Sequence, residues 1–256
     1  MNKINDYINK ELNKKEIKIY SILIKKITNW LQQKVKSANA KGLSLGISGG
    51  IDSATLAKIA LLAFPNNCNF YYFKTKDDIQ TEKDIEALKK SLNVDIKTID
   101  LSDIFNNLKN QLDIKNLASL SNLKSRLFMS SIYALSQDKN HLVLGTDNYN
   151  EYYLGYFTKY GDGGCDLLPF ANIKKSDIYI LAKMLDIPNS ILTKSPSANL
   201  CIESNDEEEL GFSYLEFEKY LINKNNVSKE IANRIEHLHK ISEHKRNLIP
   251  KGPKLK

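Results

Sequence analysis

The chain has 256 residues, 42% of them apolar and 26% charged, and a formal charge of +7. That length and apolar content suit one large α/β domain with a full core and exclude disorder of the chain as a whole. No apolar run approaches the roughly 18 residues of a membrane-spanning helix, and the lysine-rich start lacks the apolar core of a secretory signal, so a cytoplasmic protein without membrane contact is expected.

In chain order, the first forty residues place Ile4, Ile8, Leu12, Ile19, Leu23, Ile27 and Leu31 at mixed helical spacing between lysines, which predicts amphipathic helices. A strand is predicted over 43–47, a helix over 52–64, a strand over 69–73, a helix over 81–92 and a strand over 94–99. A helix over 119–136 precedes a fourth strand over 141–144, and helices over 176–185 and 227–243 follow. Strands alternating with helices give an α/β fold with a doubly wound parallel sheet, whose ligands bind beyond the carboxyl ends of the strands.

Two stretches have neither period. Residues 155–166 concentrate glycines with Lys159, Asp162 and Asp166, and residues 194–206 carry Ser195-Pro196-Ser197 ahead of acidic residues; both read as functional loops. Glu243-His244-Lys245-Arg246 closes a helical pattern, where position alone makes the cations favourable to the helix dipole. There is no internal repeat, and no second domain is expected.

Cys68, Cys165 and Cys201 form no Cys-x-x-Cys pair, which argues against a zinc cluster, a redox motif or a disulfide framework. The lysines are scattered rather than interleaved with aromatics, so nucleic acid is not an expected partner. Their excess suits a pocket for polyanionic small molecules instead.

The most informative stretch is Gly46-Ile47-Ser48-Gly49-Gly50-Ile51-Asp52-Ser53, between a predicted strand and a predicted helix. Glycines allow a tight turn, and the hydroxyls lie beside a helix N-terminus, where free N–H groups favour an anion. The loop has neither the dinucleotide spacing nor the Walker ending. A carboxylate at position 52 would repel phosphate unless a cation lay between, so Asp52 reads as a ligand to Mg²⁺.

The octet resembles the loop of the ATP pyrophosphatases, enzymes that cleave between the α- and β-phosphates and activate a carboxylate or carbonyl oxygen as an adenylate. Joined in order by Leu144-Gly145-Thr146-Asp147, Glu151, Phe157-Thr158-Lys159-Tyr160-Gly161-Asp162-Gly163-Gly164, Leu167-Leu168-Pro169 and Glu243-His244-Lys245-Arg246, it makes most of the chain resemble the ammonia-dependent NAD synthetases. The resemblance implies a sheet of the adenine nucleotide alpha hydrolase type with flanking helices, in one synthetase domain over 1–256 whose ATP core spans about 40–190. It implies a homodimeric ligase, with substrate near the interface, that joins ammonia to the nicotinate carboxylate of deamido-NAD and consumes ATP with Mg²⁺. The products would be NAD, AMP and pyrophosphate, and with no length left for a glutaminase domain the nitrogen would arrive as ammonia.

On the same resemblance, residues Gly46, Ile47, Ser48, Gly49, Gly50, Ile51, Asp52 and Ser53 would hold ATP phosphates, with Thr146, Lys175 and Ser197 completing the ATP site. Asp52 and Glu151 would hold Mg²⁺, while Arg126, Lys159, Asp162, Asp166, His244 and Lys245 would contact deamido-NAD. Lys159 and Lys175 can neutralise charge on the phosphates, and Asp162 or Asp166 is expected to bind ammonium and accept a proton. Three positions depart from the family pattern. Phe73-Lys74-Thr75-Lys76 replaces an Arg-Leu-Pro-Tyr-Gly-type segment, Asn199 replaces Asp, and the tail lacks an acidic and aromatic finish. The competing reading is a tRNA-modifying adenylating enzyme, which shares the loop but would need an RNA module or catalytic cysteines.

Overall fold

The computed structural model describes residues 11–194 and 206–254. Its first described helix, α1 (Lys14–Ser37), starts at a capping box formed by Asn13 and Glu16, and Ile27, Leu31 and Val35 recur every four residues on its buried face; the helical spacing expected before residue 11 lies outside the described residues. The α/β alternation follows as β1 (Gly42–Gly46), α2 (Ile51–Ala63), β2 (Cys68–Lys74), α3 (Ile79–Leu92) and β3 (Lys97–Asp100). Next come α4 (Ser102–Gln111), α5 (Leu117–Lys139), β4 (His141–Leu144) and α6 (Tyr149–Leu154). The described chain continues with α7 (Lys175–Met184), α8 (Asn189–Leu192), α9 (Asp206–Leu210), α10 (Tyr214–Ile222), α11 (Lys229–Ile241) and α12 (Glu243–Arg246).

The strands pair in parallel in the order β3-β2-β1-β4, with Leu45 level with Phe70 on one side and Leu144 on the other. The direction of winding reverses between β1 and β4. That gap is the switch point, where the carboxyl ends of two strands part and leave a crevice. Along β2 the side chains alternate, as a strand's pleat requires. Phe70 and Tyr72 enter the core built with α1, α2, α3 and α7, while Tyr71 and Phe73 enter a smaller one with Leu101, Phe128 and Ile132 on the opposite face. A third cluster, Leu154, Leu210, Phe212, Tyr214, Phe217 and Ile235, joins α6, α9, α10 and α11 beside the crevice.

The third strand begins three residues later than its apolar run predicts. Asn93 adopts a left-handed φ of 52° and Val94 donates back to the Lys89 carbonyl, so the start of that run finishes α3 instead. No described helix is long and apolar enough to cross a membrane.

Candidate active site

The crevice opens into a cavity of about 420 Å³ that runs from the Gly-rich loop to the loop after α6. Gly46, Ile47, Ser48, Gly50, Ile51 and Asp52 line it. The loop is tied by its own hydroxyls: the Ser48 amide donates to Ser53 Oγ at 3.2 Å, and Ser53 Oγ donates to the Gly50 carbonyl at 3.1 Å. Gly49 sits at a φ of +77° with Thr81 close by, a conformation that a side chain would strain. Gly50 caps α2 and no side chain caps its first turn. The loop therefore offers free amides and the positive end of a helix to an anion.

Opposite that loop, Lys175 is buried and its Nζ lies 2.5 Å from Asp52 Oδ2 and 3.3 Å from Glu151 Oε1. Its place is set at the start of α7, where Glu218 accepts from the Ser176 amide and hydroxyl and Asn150 accepts from the Lys175 amide. Burial works against the lysine's charge, yet Asp52 and Glu151 together hold its pKa above the ordinary range. Glu151 is pushed up to about 7 by burial, opposed by Lys175 and reinforced by Asp52. Asn148 fixes the pair from below: its Nδ2 donates to Asp52 Oδ1 at 3.1 Å, while its amide donates to Glu151 Oε2 at 3.1 Å. Two carboxylates thus converge on one cation position beside an anion cradle. Asp206 joins them on the cavity wall, with the Tyr214 hydroxyl donating to it at 3.3 Å.

At the other end, Asp162 Oδ1 accepts from Ser125 Oγ at 2.7 Å and from the Thr158 amide at 2.9 Å, fixing the carboxyl at the cavity wall. Close packing shapes this loop, since a Cβ on Gly161 would come within 2.3 Å of Ser125 Oγ. Asp147 is 4% exposed and lines the same cavity. Among the described residues, its Oδ2 finds no hydrogen-bond partner. Burial, then Asp162, Glu151 and Asp52, hold its pKa well above the ordinary carboxylate range.

Of the residues expected at an ATP and metal site, Asp52, Glu151, Thr146 and Lys175 meet in this cavity with most of the Gly-rich loop; Ser197 lies outside the described residues. Those expected to contact deamido-NAD divide. Asp162 lines the cavity, whereas Arg126, Lys159, Asp166, His244 and Lys245 stand outside its lining. Arg126 donates from Nε and Nη2 to the Lys159 carbonyl, and Lys159 Nζ donates to the His244 carbonyl at 2.6 Å. Lys245 Nζ donates to the carbonyls of Gly155 and Phe157 at 2.7 Å each. Asp166 accepts from the Val143 amide at 2.8 Å and the Tyr133 hydroxyl at 3.1 Å. Arg246, read as a helix-end cation, binds the Tyr153 carbonyl, Ser242 Oγ and the His239 carbonyl, joining α6 to α11.

Sequence reasoning missed Asn148, Asp206 and Lys194. The first carried a readable signal, a capping box with Glu151. Lys194 donates to the buried Asp84 at 3.1 Å and lines the cavity, an ion pair across distant segments that no local pattern announces.

Comparison with known proteins agrees with this geometry. The model of the family described as NAD synthase matches residues 23–249. An NH3-dependent NAD+ synthetase of Mycoplasmopsis pulmonis is 44% identical over 226 residues, 88% of each chain. Among solved structures, an NMN synthetase from Francisella tularensis superposes with a TM-score of 0.85 at 36% identity, over 91% of this chain and 98% of that one. An NH3-dependent NAD synthetase from Campylobacter jejuni, in complex with nitrate, gives 0.79 at 28%, over 91% and 99%. With strand order, Gly-rich loop and family model in accord, this chain belongs to the NAD synthase family.

Proposed function

We propose that this chain is an NH3-dependent NAD+ synthetase, a ligase that amidates the nicotinate carboxylate of deamido-NAD at the expense of ATP, releasing AMP and pyrophosphate. The observation that carries this is one cavity holding both an anion cradle with paired carboxylates and a fixed carboxyl at its far end. A nicotinate carboxylate is a poor electrophile, and adenylation makes it a good one. The loop amides and the Thr146 hydroxyl bind the triphosphate, and Lys175 neutralises charge that grows as pyrophosphate leaves. Preorganised charge of this kind dominates transfer from phosphoric anhydrides.

Asp52 and Glu151 fit Mg²⁺, since both already reach one cationic atom and both offer hard oxygen donors. Asp52 and Glu151 would hold the ion, which would supply positive charge to neutralise the triphosphate, with Lys175 adding its own charge beside them. Asp162 accepts a proton from the attacking nitrogen. Arg126, Lys159, Asp166, His244 and Lys245 form the outer part of the deamido-NAD site, and a second copy of the chain closing over these groups would complete it as a homodimer in the cytoplasm. Nothing in this assignment calls for RNA.

The test is a product assay with purified protein, ATP, Mg²⁺, ammonium and deamido-NAD, each omitted in turn, with tRNA and nicotinate mononucleotide as alternative acceptors. The mononucleotide belongs there because one solved relative is an NMN synthetase. AMP release that needs deamido-NAD supports the assignment. Release driven by tRNA alone contradicts it.

A further inference from the structure

Asp147 is a buried carboxyl that the adenylation chemistry leaves without a task. Its side chain lies just beyond β4 and on the cavity wall, yet Oδ2 has no hydrogen-bond partner among the described residues. A buried oxygen left unpaired is costly, so one that a fold keeps on a cavity wall points to a bound group that supplies the missing donor. The groups that face it narrow the ligand. Asp162, Glu151 and Asp52 are acidic, and the nearby cation, Lys245, directs its Nζ to the Gly155 and Phe157 carbonyls. Such a pocket rejects an anion and draws a small cation rich in N–H donors. A hard metal ion would need several further oxygen ligands, and Asp52 and Glu151 already share Lys175.

We propose that Asp147 is the seat of the nitrogen donor, its Oδ2 taking a hydrogen bond from ammonium within the cavity that also holds Asp162. This rests on the synthetase assignment above and adds to it the group that captures the second substrate. At neutral pH ammonia is almost wholly protonated and has no lone pair to attack with. Asp147 takes one proton from ammonium, breaking an N–H bond and forming an O–H bond. The freed ammonia forms a C–N bond to the adenylate carbonyl carbon, the nitrogen gives its surplus proton to Asp162, and the C–O bond to AMP breaks with the electron pair leaving on AMP. One amide, one AMP and two protons result from one ammonium and one adenylate.

The experiment compares wild type with Asp147→Asn, and with Asp147→Ser as a second variant, using two nucleophiles. Hydroxylamine is neutral at neutral pH and needs no capture as a cation; its product is measured as a hydroxamate. Deamido-NAD-dependent exchange of labelled pyrophosphate into ATP reports the adenylation half-reaction and a folded site. The expected result is about a hundredfold loss of kcat/KM for ammonium, in the range of general-base removal, with exchange and hydroxylamine turnover within about threefold of wild type. Equal loss with both nucleophiles, unchanged use of ammonium, or loss of exchange in both variants would overturn the proposal. Wild-type protein that shows no deamido-NAD-dependent exchange would instead overturn the synthetase assignment, and this seat with it.

Discussion

The two ends of the active-site region are built in opposite ways. At the Gly-rich end, the charged side chains meet one another: Lys175, Asp52 and Glu151 share contacts while no side chain caps the first turn of α2. On the outer face, the cations Arg126, Lys159 and Lys245 spend their donors on backbone carbonyls of neighbouring segments. The first arrangement is preorganised, so a nucleotide meets charges already in place. The second is satisfied by backbone acceptors, and on the proposed assignment a dinucleotide binding there would exchange these carbonyl contacts for its own phosphates. On that assignment, nucleotide activation belongs to the first end and adjustable recognition to the second.

That contrast makes unequal predictions. Lys175→Met should lower kcat by about 10²–10³, the loss found when one preorganised charge donor is removed. An equally large rise in KM for deamido-NAD with kcat intact would break the contrast. Gly155→Ala should cost about 3 kcal/mol of stability, read as a drop in denaturant midpoint. Its φ is +64° and a Cβ would lie 2.2 Å from Ser242 Cβ, so left-handed strain adds to overpacking. The loss should fall on the joint between α6 and α11 and spare pyrophosphate exchange in the folded fraction.

Arg126→Ala should raise KM for deamido-NAD about tenfold, close to the value of one charge-assisted hydrogen bond, and leave the KM for ATP alone. A further effect concerns pH. The Glu151 carboxyl holds a proton up to about 7 in the folded protein. An unfolded chain releases that proton near the ordinary value of 4.5. Its contribution to stability is therefore full below that value and is lost as pH rises toward about 7. Thermal melts should lose stability over that window, and Glu151→Gln should flatten the slope.

The same contrast explains what was legible in the sequence. The cradle is local: β1, the Gly-rich loop and the start of α2 are contiguous, so apolar runs and glycine placement were enough to find it. Glu151 was legible as a carboxylate past the fourth strand, but its hold on the Asn148 amide was not. The short helix α6 spans less than two turns and has no apolar period, so only its capping box could mark it. Asp147 lies in the motif after the fourth strand, yet its burial and its unpaired oxygen are set by tertiary packing that no local pattern records. The ion pair of Lys194 with Asp84 arises from two segments far apart in the chain. Such contacts belong to tertiary packing, and periodicity carries no record of them.

The central claim is that this cavity activates a carboxylate by adenylation. Deamido-NAD labelled with oxygen-18 in its nicotinate carboxylate, turned over with ATP and ammonium, tests it most directly through mass analysis of the AMP released. One labelled oxygen should appear in the phosphate of AMP, carried there when the carboxylate bonds to the α-phosphorus and left behind when nitrogen replaces it. AMP free of label, beside NAD formed in equal amount, would contradict the account.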